Sequence, residues 1–276
     1  MSTDLDVSRR QFLIGSVVAV ARPLGEQATH SPAAEFANVK ALVFDTFGTV
    51  VDWRTSVSAQ VGDFFKRKEL QIDAQKFTDA WRAGYQPAMS KVRSGALPWT
   101  KLDGLHRLIL NQLVSDFGLT RKVTEAELTD LNRVWHRLKP WPDAVHGLTR
   151  LKQKFIIAPL SNGNISLMTN LAKFAGLPWD CILGAELARH YKPDHEVYES
   201  AAYFLDLKAS EMMMVAAHLG DLGAAKQIGL RTGFVVRPME FGPTGQSPAG
   251  KADLQPSPSV DLSVKDFNEL ASRLGA

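Results

Sequence analysis

Asp45 is the residue around which a reaction can be assembled. It stands in Ala41–Trp53, ALVFDTFGTVVDW, after the apolar run Ala41-Leu42-Val43-Phe44 and before the turn Thr46-Phe47-Gly48-Thr49. The apolar run reads as a buried parallel strand. A carboxylate at the carboxyl end of such a strand lies where open α/β sheets bind ligands. Gly48 lets the backbone come close to a bound group, and Thr49 places a hydroxyl near the carboxylate. The alternative is that Asp45 only caps a turn. A second corner is Ser161-Asn162-Gly163, a hydroxyl, an amide and a glycine between a strand and a helix. Such a corner offers donors to an anion. Ser161 or Asn162 can also be the helix N-cap, and the two roles are compatible. Further along stand Lys192-Pro193-Asp194, Tyr198, His218 and Asp221.

The elements that must position these residues alternate strand and helix. Phe155–Leu160, FIIAPL, reads as a second core strand whose ladder is expected to end near Pro159. The helix after it turns Ile165, Met168, Leu171 and Ala172 inward and stops at Gly176 and Pro178. Pro193 keeps Lys192 outside a helix. Asp194 then caps a helix with Val197, Ala201, Phe204 and Leu205 inward. Met212–Ala217 is a third strand, which delivers His218 and a helix with Leu222, Ala225 and Ile228 inward. Phe234–Val236 is a further strand, Pro238–Pro258 a long Pro/Gly-rich loop, and Val260–Leu262 and Val264–Leu274 a last strand and helix.

Residues 53–139 read differently, as helices alone. Val57, Val61, Phe64 and Phe65 share one face. Ile72–Met89 holds Phe77, Ala80, Trp81 and Tyr85 at helical spacing, and Leu102, Leu105, Leu108, Ile109 and Leu113 form another stripe. Thr124 and Glu127 make a capping box before Leu128, Leu131, Val134, Trp135 and Leu138.

LVFDTFGTVVDW resembles the first motif of the haloacid dehalogenase superfamily, in which the aspartate is the nucleophile. LSNGN, the Lys192-Pro193-Asp194 triplet and Asp221 resemble its later motifs, in order, over about Asn38–Ala276. Phosphatases of that superfamily carry a second aspartate two residues after the first, as general acid. Here that position is Phe47, which cannot transfer a proton. The closer resemblance is to the type II (S)-2-haloacid dehalogenases. It implies a Rossmannoid three-layer α/β core of residues 37–52 and 140–276 with a parallel sheet, and an all-helical cap of residues 53–139.

It also implies roles. Asp45 displaces halide from a 2-haloacid and forms an aspartyl ester, which water hydrolyses to a 2-hydroxy acid. Lys192 keeps Asp45 ionised, and Asp221 orients Lys192 or the water, a task His218 shares. Ser161 and the Thr46–Phe47 turn amides hold the substrate carboxylate. Arg82, after Trp81 on the second cap helix, and Asn162 receive the halide. Tyr198 matches a site tyrosine but is equally read as core packing. Where this chain has Ala216 and His218, many members carry Ser and Asn; the VAAH form resembles a subset that includes defluorinating members. The resemblance implies no metal or other cofactor, and it is compatible with a homodimer. Two other readings stay open: a magnesium-dependent phosphatase, and a non-catalytic binding protein on the same fold.

The totals agree with such a domain. At 276 residues the chain can hold a core and an insertion, and 45% hydrophobic with 22% charged residues is ordinary for a soluble protein. A net charge of +3 is too small to imply nucleic acid. The single cysteine, Cys181, excludes an intrachain disulfide and a cysteine-cluster metal site, and reads as a buried small hydrophobe. Residues 1–36 read as a leader and linker. Arg9 and Arg10 before a short apolar run resemble a twin-arginine export signal, with Ala19-Val20-Ala21 as a cleavage site. The run is too short to span a bilayer. The alternative is a basic N-terminus and a cytoplasmic protein. The export reading predicts that Arg9→Lys with Arg10→Lys holds the protein in the cytoplasm. Fractionation that finds it still in the periplasm refutes the signal.

Overall fold

A computed structural model describes residues 35–276, besides Met1; the arginine pair and its apolar run lie outside the described residues. The apolar run before Asp45 is strand β1 (Ala41–Phe44), buried at every position. It sits inside a parallel sheet with β4 (Ile156–Ser161), β5 (Leu183–Gly184), β6 (Met212–Ala216), β7 (Arg231–Val235) and β10 (Leu262–Val264). The order is β10-β7-β6-β1-β4-β5. Ala41 pairs with Ile156 on one side and Met212 on the other, and Phe44 with Pro159 and Val215. All its strands run the same way, so the residues after β1, β4 and β6 emerge together at one edge.

Strand alternation divides the core. Leu42 and Phe44 pack with Leu148 of α6 (Ala144–Lys152) and with Phe267 and Leu270 of α11 (Phe267–Leu274). Ala41 and Val43 pack with Val197 and Ala201 of α9 (His195–Leu205) and with Leu222 and Ala225 of α10 (Leu219–Gln227). The result is the three-layer α/β sandwich that the motifs imply. Helix α7 (Ile165–Ala175) follows β4, and a short helix α8 (Ala185–Ala188) follows β5.

The chain leaves the sheet after Asp45 through β2 (Val51–Asp52) and returns through the antiparallel β3 (Lys139–Pro140). Between them lie α1 (Trp53–Arg67), α2 (Ala74–Ala83), α3 (Tyr85–Arg93), α4 (Leu102–Asp116) and α5 (Glu125–Asn132), then a 3-10 turn at Arg133–His136. The Thr124–Glu127 capping box is present, with each side chain bonded to the other's backbone. Phe65, Phe77, Trp81 and Trp135 are fully buried beneath these helices.

Several local expectations need correction. The Ile72–Met89 stretch is two helices that meet at Gly84, where a Cβ would meet Ile109. Leu108 and Phe204 are exposed, because each lies on the flank of its helix rather than at the centre of the buried face. The ladder does not stop at Pro159; it continues to Leu160 and Ser161, which pair with Leu183 and Gly184. Ile157 N, two residues earlier, bonds the Asp180 carboxylate on the β5 side. The missing Pro159 donor therefore faces a stretch where β5 has not begun, the edge-like position where proline is tolerated. Strand β10 falls later than Val260–Leu262, since Val260 N closes a turn on Ser257 O. Phe36 already packs in the core, one residue ahead of the expected start of the α/β core at residue 37. Cys181 is half-buried rather than buried, and burial followed by the neighbouring Asp180 charge pushes its thiol up.

Helix α6 meets α11 at Gly147, where a Cβ would lie 2.5 Å from Phe267 Cβ and 2.7 Å from its carbonyl carbon. Gly147→Ala should therefore lower stability by about 1–3 kcal/mol, the usual cost of overpacking. A denaturation midpoint equal to that of the wild type would contradict this packing.

Candidate active site

The sheet edge gathers the charged groups around Asp45, which is 7% exposed. Its Oδ1 accepts a hydrogen bond from Lys192 Nζ at 2.9 Å. Its Oδ2 accepts one from Thr49 Oγ1 at 2.7 Å and lies 3.0 Å from His218 Nδ1. Thr49 is fixed in turn, because its oxygen accepts from Ala217 N at 2.9 Å, next to His218. Lys192 Nζ also donates to Asp221 Oδ2 at 2.5 Å, and Tyr198 OH donates to Asp221 Oδ1 at 2.5 Å. The Lys192 backbone N–H donates to Asn162 Oδ1 at 2.8 Å, which ties the loop bearing Lys192 to the end of β4.

These contacts set the charges. Burial alone would raise the Asp45 pKa, but Lys192, His218 and Thr49 outweigh it and hold the carboxyl far below the usual range. Burial would lower the Lys192 pKa; Asp221 and Asp45 push it further up instead. Asp221 is raised by its own burial, which Lys192 offsets, and by the Asp45 charge. Burial would lower His218 too, yet Glu240 and Asp45 drive it well above the ordinary imidazole value.

A cavity of about 470 Å³ opens over Asp45. Phe47, Arg82, Asn162, Lys192, Tyr198, His218 and Asp221 also line it. Thr46, Thr49 and Ser161 lie behind that wall. Thr46 Oγ1 is buried without a partner among the described residues, and the Ser161 hydroxyl accepts from Gly163 N at 3.0 Å. The N-cap of α7 is Asn164, not Ser161 or Asn162, and its side chain bonds Asp103 of α4 and the Ser166 hydroxyl rather than the amides of its helix. Asp194 does stand at the N-cap of α9, but its carboxylate takes Arg93 at 2.7 Å instead of helix amides.

Arg82 comes from the last turn of α2. Its Cζ lies 4.1 Å from the centre of the Tyr85 ring and 5.3 Å from that of Trp53. Its Nη1 is buried with no hydrogen-bond partner among the described residues. An unpaired guanidinium donor in an aromatic setting is a ready anion site.

Glu240, Trp53, Tyr85, Phe241 and Lys251 belong to the same neighbourhood and were not legible as site residues. Phe241 and Lys251 sit on the Pro238–Pro258 loop, which carries a small hairpin of β8 (Gln246–Ser247) and β9 (Gly250–Lys251) and forms one cavity wall. Glu240, 1% exposed, reaches His218 Nε2 at 2.9 Å. The available signal was that Glu240 is the one acid between Asp221 and Asp253, flanked by Met239 and Phe241.

Every carboxylate oxygen facing Lys192 is already engaged: those of Asp45 by Lys192, Thr49 and His218, those of Asp221 by Lys192 and Tyr198. Lys192 Nζ thus already places a positive charge between the two carboxylates, where a divalent cation bridging them would have to stand. A separate group, His190, Asp194 and Glu196, could hold a metal ion at the surface, away from these contacts.

The model of the haloacid dehalogenase-like hydrolases matches residues 39–229. The chain belongs to that family. Within it, (S)-2-haloacid dehalogenase 1 of Pseudomonas sp. (strain CBS-3) is 31% identical over 201 residues, 70% of this chain and 83% of that protein. A crystal structure of a defluorinating L-2-haloacid dehalogenase aligns with a TM-score of 0.82 and 47% identity, covering 86% of this chain and 96% of that one. A second L-2-haloacid dehalogenase structure gives 0.81 and 44%, covering 86% and 99%. The chain therefore stands in the (S)-2-haloacid dehalogenase branch of the haloacid dehalogenase-like hydrolases.

In this hydrolase, Lys192 compensates two buried carboxylates. Lys192→Met should cost about 3–5 kcal/mol near neutral pH, the usual penalty for a stranded buried charge. The sign with pH follows from Asp45. A depressed carboxyl stabilises the fold above its unfolded pKa and loses that contribution as pH falls. The deficit of the variant should thus shrink on acidification as its carboxyls protonate. Equal deficits by urea unfolding at neutral pH and in mild acid would disprove the pairing.

Proposed function

We propose that the protein hydrolyses small 2-haloacids to 2-hydroxy acids and halide through an ester on Asp45. The observation that carries this reading is a buried, ionised Asp45 sharing one cavity with the unpaired Nη1 of Arg82. A nucleophile and an anion acceptor on one cavity are what displacement of halide needs. The named relatives support the same substrate class.

Asp45 attacks the carbon that bears the halogen, and the halide leaves toward Arg82 and Asn162. A donor aimed at such developing charge contributes roughly 3–4 kcal/mol. The substrate carboxylate is held by the amides of the Thr46–Phe47 turn, with the Ser161 corner behind it. Water then attacks the ester carbonyl, with Asp221 and His218 beside it, and the hydroxy acid leaves with an oxygen from Asp45. The acid most readily accommodated is short, such as chloroacetate; the 47% identical defluorinating relative supports fluoroacetate as well. The Arg9–Arg10 leader supports a periplasmic site for the reaction.

The magnesium-dependent phosphatase reading is weakened by Phe47, where that reaction needs an acid, and by Lys192 Nζ, whose charge stands between Asp45 and Asp221. Single-turnover hydrolysis of chloroacetate in heavy-oxygen water, with chelator present, tests the proposal. Chloride release at full rate with the label in Asp45 is expected. Label in the hydroxy acid with Asp45 unlabelled means direct attack by water, and phosphate release that needs magnesium means a phosphatase.

A further inference from the structure

We propose that Glu240 is the positioning residue that makes His218 the base for hydrolysis of the Asp45 ester. The inference rests on the dehalogenase reading above.

Glu240 approaches from a loop far along the chain, yet its carboxylate is aimed at one ring atom. Its oxygens lie 3.1 and 2.9 Å from His218 Nε2, and Oε1 also accepts from Trp53 Nε1 at 3.1 Å. The root of the loop is fixed by Arg237, which donates to Thr49 O at 2.9 Å and pairs with Asp143 at 2.8 Å. The nucleophile turn is shaped to admit the acid: Gly48 adopts φ +87°, and a Cβ there would overlap the Glu240 carboxylate. A buried carboxylate beside Nε2 holds a proton on that nitrogen. Nδ1, 3.0 Å from Asp45 Oδ2, is then the atom that exchanges protons at the site. The charged groups around His218 are Asp45 after β1 and Glu240 on the loop, in direct contact, with Lys192, Asp221, Arg82 and Lys251 on the same cavity.

The ring thereby changes role during the cycle. Between ionised Asp45 and Glu240, His218 is an imidazolium. When Asp45 bonds to the substrate carbon, the carbon–halogen bond breaks and the halide keeps its electron pair. Asp45 loses its charge, the ring keeps only one anionic partner, and Nδ1 releases its proton to solvent. Nδ1 then takes a proton from water as the water oxygen bonds to Asp45 Cγ. Collapse breaks the bond from Cγ to the ester oxygen, which receives that proton, and the hydroxy acid leaves. The regenerated Asp45 carboxyl passes its remaining proton to Nδ1, restoring the starting pair.

The test is Glu240→Gln, checked for folding and compared with wild type in single turnover on chloroacetate. Chloride appearance, the ester on Asp45 (as added protein mass) and hydroxy acid are followed against pH. The first chloride burst should survive while ester decay slows roughly 100-fold, within the range a general base supplies. Because the Glu240 charge raises the His218 pKa, its loss should also move the pH limb of ester decay to lower pH. Glu240→Asp, which keeps the charge but withdraws it from Nε2, should slow ester decay without moving the limb, and it replaces Glu240→Gln if that variant does not fold. Ester decay at the wild-type rate in a folded variant overturns the role of Glu240. Absence of a chloride burst from the wild type overturns the dehalogenase reading instead.

Discussion

The site depends on keeping one buried carboxylate charged. Removing an ionised aspartate from water costs several kcal/mol unless a partner and further hydrogen bonds compensate it. Asp45 receives all of these within one contact shell: Lys192, Thr49 and His218. Lys192 would itself be a buried charge with a surplus donor, and Asp221 takes it; Asp221 has a surplus lone pair, and Tyr198 takes that. The chain of bonds ends on a neutral phenol whose ionisation burial and Asp221 both oppose. The acid thus remains an anion while largely removed from solvent, the state the proposed attack requires.

The parallel sheet makes this arrangement geometrically simple. Strands β1, β4 and β6 end at the same edge, so Asp45, Asn162 and His218 converge though they are far apart in sequence. The edge supplies Asp45 and groups for proton transfer, and its lysine, Lys192, is taken up by Asp45 and Asp221. In the proposed reaction the cation that meets the leaving anion is Arg82, from the helical insertion, with the Tyr85 and Trp53 rings against it. The third contribution, Glu240, comes from the loop after β7. Trp53 joins the two outer contributions, touching Arg82 with its ring and Glu240 with its N–H.

Local pattern made the inner part of the site legible. The apolar run before Asp45, the Ser161-Asn162-Gly163 corner and the Lys192-Pro193 constraint are short-range signals, and each marks a strand end or a helix start. What lay beyond them depended on packing between distant segments. Nothing within reach of Glu240 in the sequence says that Gly48 leaves room for it. The same limit explains Leu108 and Phe204, which satisfy helical periodicity but fall where the neighbouring layer does not cover them. Pro159 was misjudged because its meaning depends on which side of the strand its missing donor faces.

The contrast between Phe47 and His218 follows from the chemistry of the leaving group. An alkoxide leaving a phosphate ester is strongly basic and needs a proton, so an acid belongs two residues after the nucleophile. Chloride or bromide is so weak a base that no acid is needed; the departing charge needs only donors and a low dielectric. Phe47 occupies the acid position and packs edge-on against Trp135, with ring centres 6.0 Å apart, closing that wall with apolar surface. The lower local polarity strengthens the pull of Arg82 on an anion. In the ester mechanism proposed above, the need for proton transfer moves to the second step, where water must lose a proton to attack a neutral ester. A titratable group is available for that step in His218, just after β6 and 3.0 Å from Asp45 Oδ2. On the same proposal it does not act too early, because the ionised Asp45 beside it favours its protonated form until the ester forms.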